Sequence, residues 1–278
     1  MENGIYIVAT PIGNLDDITL RAIDTLKTCD FIICENPKHS LKLLNKLGIK
    51  KKLISLHDYN ENSVIQRLSD ELFIKKIVLI SDAGSPLISD PGYKLINFCI
   101  KNDIRVVSVP GPSSIIPALQ VSGIPINEFY FAGFMPKNKN DIIKFFENIK
   151  KINKSSVFFV SSHKIKVCLD FLESEMTDRT ISVSKEITKI NEKTFRGLAP
   201  DTKKEISLKA ENFKGEFVIV IEEKSLKNSQ NFSLENHKLE INKLLQKFSL
   251  TDVVEIVHKL SGITKNKVYK WVLDIKNL

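Results

Sequence analysis

Three stretches rich in glycine, proline, serine and aspartate follow predicted β-strands in the first half of the chain. They are residues 9–15 (ATPIGNL), 82–92 (DAGSPLISDPG) and 110–114 (PGPSS). Glycine lets a ligand approach the backbone closely, and proline stiffens a loop so that less entropy is lost on binding. For any one loop, ordinary turn formation is the simpler interpretation. Three such loops at the carboxyl edge of one sheet predict a ligand site.

A carboxylate and two histidines also lie near predicted strand ends. Glu35 directly follows the strand predicted at residues 31–34 and could take a proton from an attacking hydroxyl group. It could equally cap the next helix or pair with Lys38. His39 and His57 are eligible for the same cleft, although a lone histidine is no evidence of catalysis.

Several common active-site signatures are absent from the sequence. We find no G-x-G-x-x-G after the first strand, no G-x-x-x-x-G-K-[ST], no G-x-S-x-G and no H-E-x-x-H. The four cysteines, Cys29, Cys34, Cys99 and Cys168, form no C-x-x-C pair and have no histidine at metal-ligand spacing. We therefore predict no metal site, and we expect Cys34 and Cys99 to be reduced and buried.

Composition and charge indicate a soluble cytoplasmic protein. The 278 residues are 42% hydrophobic and 27% charged, and 41 Lys and Arg against 33 Asp and Glu give a net charge of +8. This length favours two domains. The first residues, MENGIYIVATPIGN, do not form a signal peptide, and no run of 18 apolar residues could span a membrane.

The elements that would position the loops alternate between strand and helix. Strands are predicted at residues 4–10, 31–34, 77–81, 105–109 and 129–132, and helices at 18–27, 39–47, 63–73, 92–101 and 113–121. Because the strands are almost continuously apolar, they predict a largely parallel sheet that is covered on both faces. Nine of the ten prolines occur at or before Pro136, so we place a domain boundary near residues 134–140.

The rest of the chain predicts a smaller α/β domain and a helical tail. Residues 136–224 contain predicted strands at 155–161, 180–184, 192–197 and 216–222 and helices at 141–150, 164–174 and 200–209. A linker is predicted next, at residues 222–233. Residues 225–278 carry nine lysines against five acids and outline a helix-turn-helix unit, with Ser249 or Thr251 as the predicted N-cap of its first helix. Lys265, Lys267 and Lys270 could contact nucleic acid or form a solvated face.

Together the loop sequences carry a family resemblance. Residues 8–22 (VATPIGNLDDITLRA), 81–92 (SDAGSPLISDPG), 109–114 (VPGPSS) and 131–134 (FAGF) resemble the tetrapyrrole methylase superfamily of S-adenosylmethionine-dependent enzymes. ATPIGNL and SDAGSPLISDPG are similar to its branch called ribosomal RNA small subunit methyltransferase I. The resemblance continues through residues 185–197 and 214–222.

This resemblance implies a two-domain α/β fold with the methyl donor in the cleft, in a homodimer, without a metal. The domains would be residues 1–135 and 136–224, followed by the helical tail. The implied reaction is methyl transfer to the ribose 2′-oxygen of a cytidine in the decoding region of small-subunit ribosomal RNA, free or in the assembled subunit. The implied donor-binding residues are Pro11, Asp82, Ala83, Gly84, Ser85, Pro86, Leu87, Ile88, Ser113, Ser114, Phe131 and Val160, with Gly133 and Ser161 beside them.

Two segments depart from the family pattern. Residues 35–40 read ENPKHS where the family commonly has E-D-T-R-H-[ST], and residues 160–164 read VSSHK in place of E-S-P-H-R. Lysine cannot form the bidentate hydrogen bonds that arginine forms with a phosphate, so we expect altered RNA binding. Our hypotheses are Glu35, then His39, as general base and Lys38 on a phosphate. The alternatives are methylation of a tetrapyrrole precursor and a non-catalytic ribosome-assembly protein.

Overall fold

The chain forms two compact units, Met1–Glu223 and Lys224–Leu278. The computed structural model describes residues 1–223, 237–261 and 263–276. Most of the predicted linker, as well as Gly262 of the predicted turn, lies outside the described residues. The first unit contains both β-sheets, and its division into two domains near residue 135 stays a prediction.

The first sheet is parallel throughout, as predicted. Its strands are β1 (Gly4–Val8), β2 (Phe31–Cys34), β3 (Lys52–Ser55), β4 (Lys76–Ile80) and β5 (Val106–Val109), in the order β3-β2-β4-β1-β5. The sequence analysis missed β3. This edge strand follows a run of lysines and buries only Ile54 deeply, so it lacks the apolar run that reveals a central strand.

Helices cover both faces of this sheet, which explains its continuously apolar strands. They are α1 (Leu20–Thr28), α2 (Pro37–Lys46), α3 (Glu61–Ile74) and α4 (Tyr93–Lys101). On one face of the sheet Ile5 packs with buried residues of α3 and α4. On the other face Tyr6 packs with buried residues of α1 and α2. Cys34 and Cys99 are buried in these two layers, as expected.

The second sheet is mixed and takes one strand that the sequence analysis assigned to the first part. Its elements are α5 (Ile115–Ser122), β6 (Phe129–Phe134), α6 (Lys139–Lys151), β7 (Ser155–Ser161), α7 (Ile165–Glu175), β8 (Thr180–Lys185), β9 (Lys193–Leu198), α8 (Ala199–Ser207) and β10 (Glu216–Ile221). The order is β6-β7-β10-β8-β9, and only the β6–β7 pair is parallel. The placement of residues 129–132 in the first part was wrong, because an apolar strand does not encode which sheet it joins. Helix α5 also packs on this sheet, through Ala118 and Leu119.

The second unit is helical, as predicted. Its described helices are α9 (Lys238–Leu245), α10 (Leu250–Ser261) and α11 (Lys265–Lys276), packed around Val253, Val257, Val268 and Val272 among others. The hydroxyl of Ser249 accepts a hydrogen bond from the Asp252 N–H (3.3 Å), so Ser249 is the capping residue. No helix in the described part of the chain is long and apolar enough to cross a membrane.

Candidate functional site

The three glycine- and proline-rich loops meet at one edge of the first sheet, as predicted. They follow β1, β4 and β5, which are neighbouring parallel strands. The backbones of Thr10 and Gly84 exchange two hydrogen bonds of 2.9 Å each. The Ser85 hydroxyl donates to the Pro112 carbonyl (3.2 Å) and joins the third loop to the second. The loops therefore brace one another through hydrogen bonds within the chain.

The loop after β4 has an unusual backbone that its surroundings hold in place. Gly84 has φ +77°, and Leu87 and Ser89 have φ of 74° and 69°, a left-handed region that costs non-glycine residues about 1–2 kcal/mol each. The far end of the loop is fixed by Glu61. This buried carboxylate accepts hydrogen bonds from the backbone N–H groups of Gly92 and, at 3.0 Å, Lys94.

A cavity of about 300 Å³ lies between these loops and the second sheet. The first-sheet loops and the start of α5 contribute Ile12, Ala83, Gly84, Ser85, Ile88, Asp90, Ser113, Ser114 and Ile115. The second sheet and its β8–β9 connection contribute Phe134, Phe159, Val160, Ser161, Ile187, Glu216, Phe217 and Val218. Because the walls are mostly apolar with a few polar groups, the cavity can bind a small molecule that has an apolar body and polar ends.

The structure brings seven of the twelve predicted donor-binding residues to this cavity. These are Ala83, Gly84, Ser85, Ile88, Ser113, Ser114 and Val160. Five others, Pro11, Asp82, Pro86, Leu87 and Phe131, belong to the same loops and strand but are not among the residues that line it. The sequence analysis did not select Ile12 or Asp90, although both lie within loops that it identified. It had no signal for Glu216, Phe217 and Val218, which reach the cavity from a distant strand.

The start of α5 forms one polar end of the cavity. Ser113, Ser114 and Ile115 line it, and the Ile115 N–H donates to the Ser113 hydroxyl (3.3 Å). The side chain of Ser114, which directly precedes the helix, makes no capping hydrogen bond. Since the first N–H groups of a helix carry partial positive charge, this end favours a carboxylate or another anion.

Carboxylates cluster at the other side of the same sheet edge. Burial, followed by the charges of Asp82, Asp90 and Asp58, raises the pKa of Glu35, and nearby His57 opposes this shift. Burial also raises the pKa of Asp90, which lines the cavity. A carboxylate with a raised pKa is a stronger base, so the cluster can accept a proton. Asp90 lines the cavity, whereas Glu35 is not among the residues that line it.

The segment that departs from the family pattern begins α2 with ordinary helix-start chemistry. Asn36 is the N-cap, and its side-chain oxygen accepts from the N–H groups of Lys38 (3.1 Å) and His39 (3.4 Å). The Asn36 N–H donates to Asp82 Oδ1 (3.2 Å). Pro37 is at the start of the helix, where no intrahelical partner exists for an N–H, so the loss of that donor is harmless. Lys38 and His39 are exposed and are not among the residues that line the cavity.

Comparison with known proteins relates most of the chain to a family of methylases. Residues 4–202 match the family model of tetrapyrrole (corrin/porphyrin) methylases. Proteins named ribosomal RNA small subunit methyltransferase I are 39% identical in Halalkalibacterium halodurans (78% of this chain, 75% of the relative) and 37% identical in Buchnera aphidicola (97% and 96%). A crystal structure of diphthine synthase shares the fold, with a TM-score of 0.60 at 12% identity over 78% of this chain and 89% of that one.

Glu35→Gln is expected to be more stable than the parent protein, by an amount of unfolding free energy that increases with pH. Because the pKa of Glu35 is raised on folding, stability is lost as the pH rises from its unfolded pKa through its folded pKa. Glutamine does not ionise and removes that loss. Melting temperatures from about pH 4 to about pH 8 measure the effect. Glu147→Gln, at an exposed position of α6, is the control, and a gain for Glu35→Gln that does not change with pH would contradict the interpretation.

Proposed function

Because this chain belongs to the tetrapyrrole methylase family, and within it to the group of ribosomal RNA small subunit methyltransferase I, we propose that it methylates the ribose 2′-oxygen of a cytidine in the decoding region of small-subunit ribosomal RNA. The methyl donor is S-adenosylmethionine. The observation that carries the proposal is similarity along 97% of the chain to a relative with that name. So long a match includes both sheets and most of the helical unit.

The cavity suits this donor. Its volume of about 300 Å³ is at the lower end for a ligand site, and Ile88, Phe159 and Phe217 offer apolar surface to a purine ring. The start of α5 favours the donor's carboxylate, and Asp90 its positive charge. A Cβ on Gly84 would come within 3.3 Å of the Ile12 side chain, so glycine keeps the backbone accessible here. When bound, S-adenosylmethionine supplies an electrophilic methyl group on its sulfonium.

Glu35 is the proposed general base. Its raised pKa suits removal of the proton from a ribose 2′-hydroxyl as the new bond forms. His39 is the second candidate, and the exposed Lys38 is proposed to hold a neighbouring phosphate. The main contribution of the protein is then to align the acceptor oxygen with the methyl group and to keep water out of the cavity. We also propose a homodimer, as the family resemblance implies, and a cytoplasmic location, as the composition indicates.

The proposal predicts methyl transfer to ribosomal RNA. Small ribosomal subunits from cells that lack the modification are incubated with tritiated S-adenosylmethionine, alongside naked RNA and a porphyrinoid. We expect label in RNA at an alkali-resistant ribose step. Glu35→Gln should slow transfer by about a hundredfold or more, because general-base catalysis is lost, while donor affinity is retained. Label only in the porphyrinoid, or donor binding without any transfer, would overturn the proposal.

Gly84→Ala is expected to weaken donor binding. Its Cβ would project beside Ile12 at φ +77°, whereas Gly48 has φ +68° and open space around it. Gly48→Ala is therefore a matched control, since both variants lose about 1 kcal/mol of stability from the left-handed backbone. Calorimetric titration should show about a tenfold loss of affinity, or ~1.4 kcal/mol, for Gly84→Ala alone. Equal affinities for the two variants would exclude Gly84 from the donor site.

The exposed lysines of α11 are expected to strengthen RNA binding. We propose that Lys265, Lys267 and Lys270 contact phosphates. Their combined replacement by alanine should lower RNA affinity, reduce the slope of log affinity against log salt by about 2 and leave donor affinity unchanged. The control replaces Lys27, Lys46 and Lys101, exposed lysines in the last turns of α1, α2 and α4, where these helices end away from the loop edge. Unchanged RNA affinity would remove α11 from this role.

A further inference from the structure

Tyr59 is the most exposed tyrosine or phenylalanine residue in the described part of the chain. Its side chain and backbone together are 98% open to solvent. Single exposed apolar residues are common on protein surfaces, so exposure alone indicates nothing. What distinguishes Tyr59 is the rigidity of the turn that carries it and the place of that turn in the fold.

The turn at residues 57–60 is fixed by hydrogen bonds on both sides of Tyr59. The Asn60 N–H donates to the His57 carbonyl (2.9 Å), and the His57 N–H donates to Asn60 Oδ1 (2.8 Å). Asn60 Nδ2 donates to the Ser55 carbonyl (3.1 Å), so this side chain braces the turn and makes no capping hydrogen bond to α3. The His57 ring lies 6.2 Å from the Tyr59 ring and is tilted by 55°, so the two rings do not stack on each other.

This turn leaves the sheet directly beside the proposed general base. Strands β2 and β3 are paired so that Cys34 is opposite Ser55, and the Leu56 N–H donates to the Cys34 carbonyl (2.9 Å). The Ser55 hydroxyl donates to the backbone carbonyl of Glu35 (3.1 Å). Tyr59 lies four residues after Ser55, which itself contacts Glu35. The hydrogen-bonded turn at residues 57–60 therefore presents the Tyr59 ring at the same end of β2 and β3 as Glu35.

We propose that Tyr59 stacks on an unpaired nucleobase of the acceptor RNA, at or next to the nucleotide whose ribose is methylated. This inference rests on the proposed function. Proteins recognise irregular RNA by stacking splayed bases on aromatic side chains, and a ribose in a regular helix is poorly exposed to in-line attack. A base held on Tyr59 brings its own or the adjacent 2′-hydroxyl toward Glu35. Tyr59 is thus a positioning residue for the acceptor.

The charges around the turn favour a base over a phosphate at this point. Asp58 is in the turn, and Glu35, Asp82 and Asp90 lie close enough that their charges interact. Such a group of carboxylates repels the RNA backbone, whereas stacking requires no positive charge on the protein. The RNA therefore contacts this turn through a base, with its phosphates directed to lysines such as Lys38. The contribution of Tyr59 should then depend little on salt, unlike that of a phosphate contact.

Substitutions of Tyr59 in the full chain test the inference. Tyr59→Ala should lower kcat/KM for small ribosomal subunits by about fivefold or more, mainly through KM, and leave donor affinity unchanged. Tyr59→Phe and Tyr59→Trp should restore activity because they keep an aromatic face, whereas Tyr59→Leu should not. The loss should be the same at low and high salt. Phe73→Ala is the control, because Phe73 is a half-exposed ring near the opposite end of α3.

The outcomes separate this inference from the function on which it rests. If the parent protein methylates ribosomal RNA and Tyr59→Ala behaves like Phe73→Ala, the stacking role is wrong and the function stands. Failure of Phe and Trp to rescue, or a loss that disappears at high salt, would also overturn the stacking role. Absence of RNA methylation by the parent protein would instead overturn the proposed function. Recovery by both aromatic variants, with unchanged melting temperature, would support the inference.

Discussion

The two backbone hydrogen bonds between Thr10 and Gly84 are the contact on which the rest of the site depends. They join the loops after two neighbouring central strands, and Gly84 makes them with a left-handed backbone of φ +77°. Ser85 extends the connection to the third loop through Pro112. Gly111 lies close to Ala9, because a Cβ added to Gly111 would be 3.1 Å from the Cβ of Ala9. A side chain at position 111 would therefore crowd Ala9. With the loops already braced, little conformational entropy is lost when a ligand enters.

The hydrogen bonds between the loops stabilise the folded state, whereas the carboxylate cluster on the acidic side of the site destabilises it. Several carboxylates are held near one another, and both burial and mutual repulsion raise the pKa of Glu35. Groups arranged in this way weaken the folded state once they ionise, so they are common where a proton must be moved. The surrounding structure maintains them: the Asn36 N–H binds Asp82, and Asn36 itself starts α2. The segment that departs from the usual family sequence therefore starts α2 with a complete N-cap.

Donor and acceptor would be held by different kinds of interaction. The cavity proposed for the donor is mostly apolar and lies between the braced loops and the second sheet, which suits a small molecule of fixed shape. The proposed acceptor site is open and combines the exposed Tyr59, a carboxylate cluster and Lys38. An RNA segment can reach such a surface, and its shape supplies the selectivity that a closed pocket supplies for small ligands.

The sequence by itself determined the parallel first sheet, the loops that meet at its edge and the family. Continuously apolar strands, turn residues and loop motifs are local features of the sequence. They can be recognised in a segment without knowing what that segment packs against. The sequence did not determine that β6 joins the second sheet, that β3 exists, or that β10 brings Glu216, Phe217 and Val218 to a cavity begun by residues 9–15. It also did not single out Tyr59, whose significance comes from its neighbours. Strand partners and cavity walls depend on contacts between distant segments, and only the packing of the whole unit decides them.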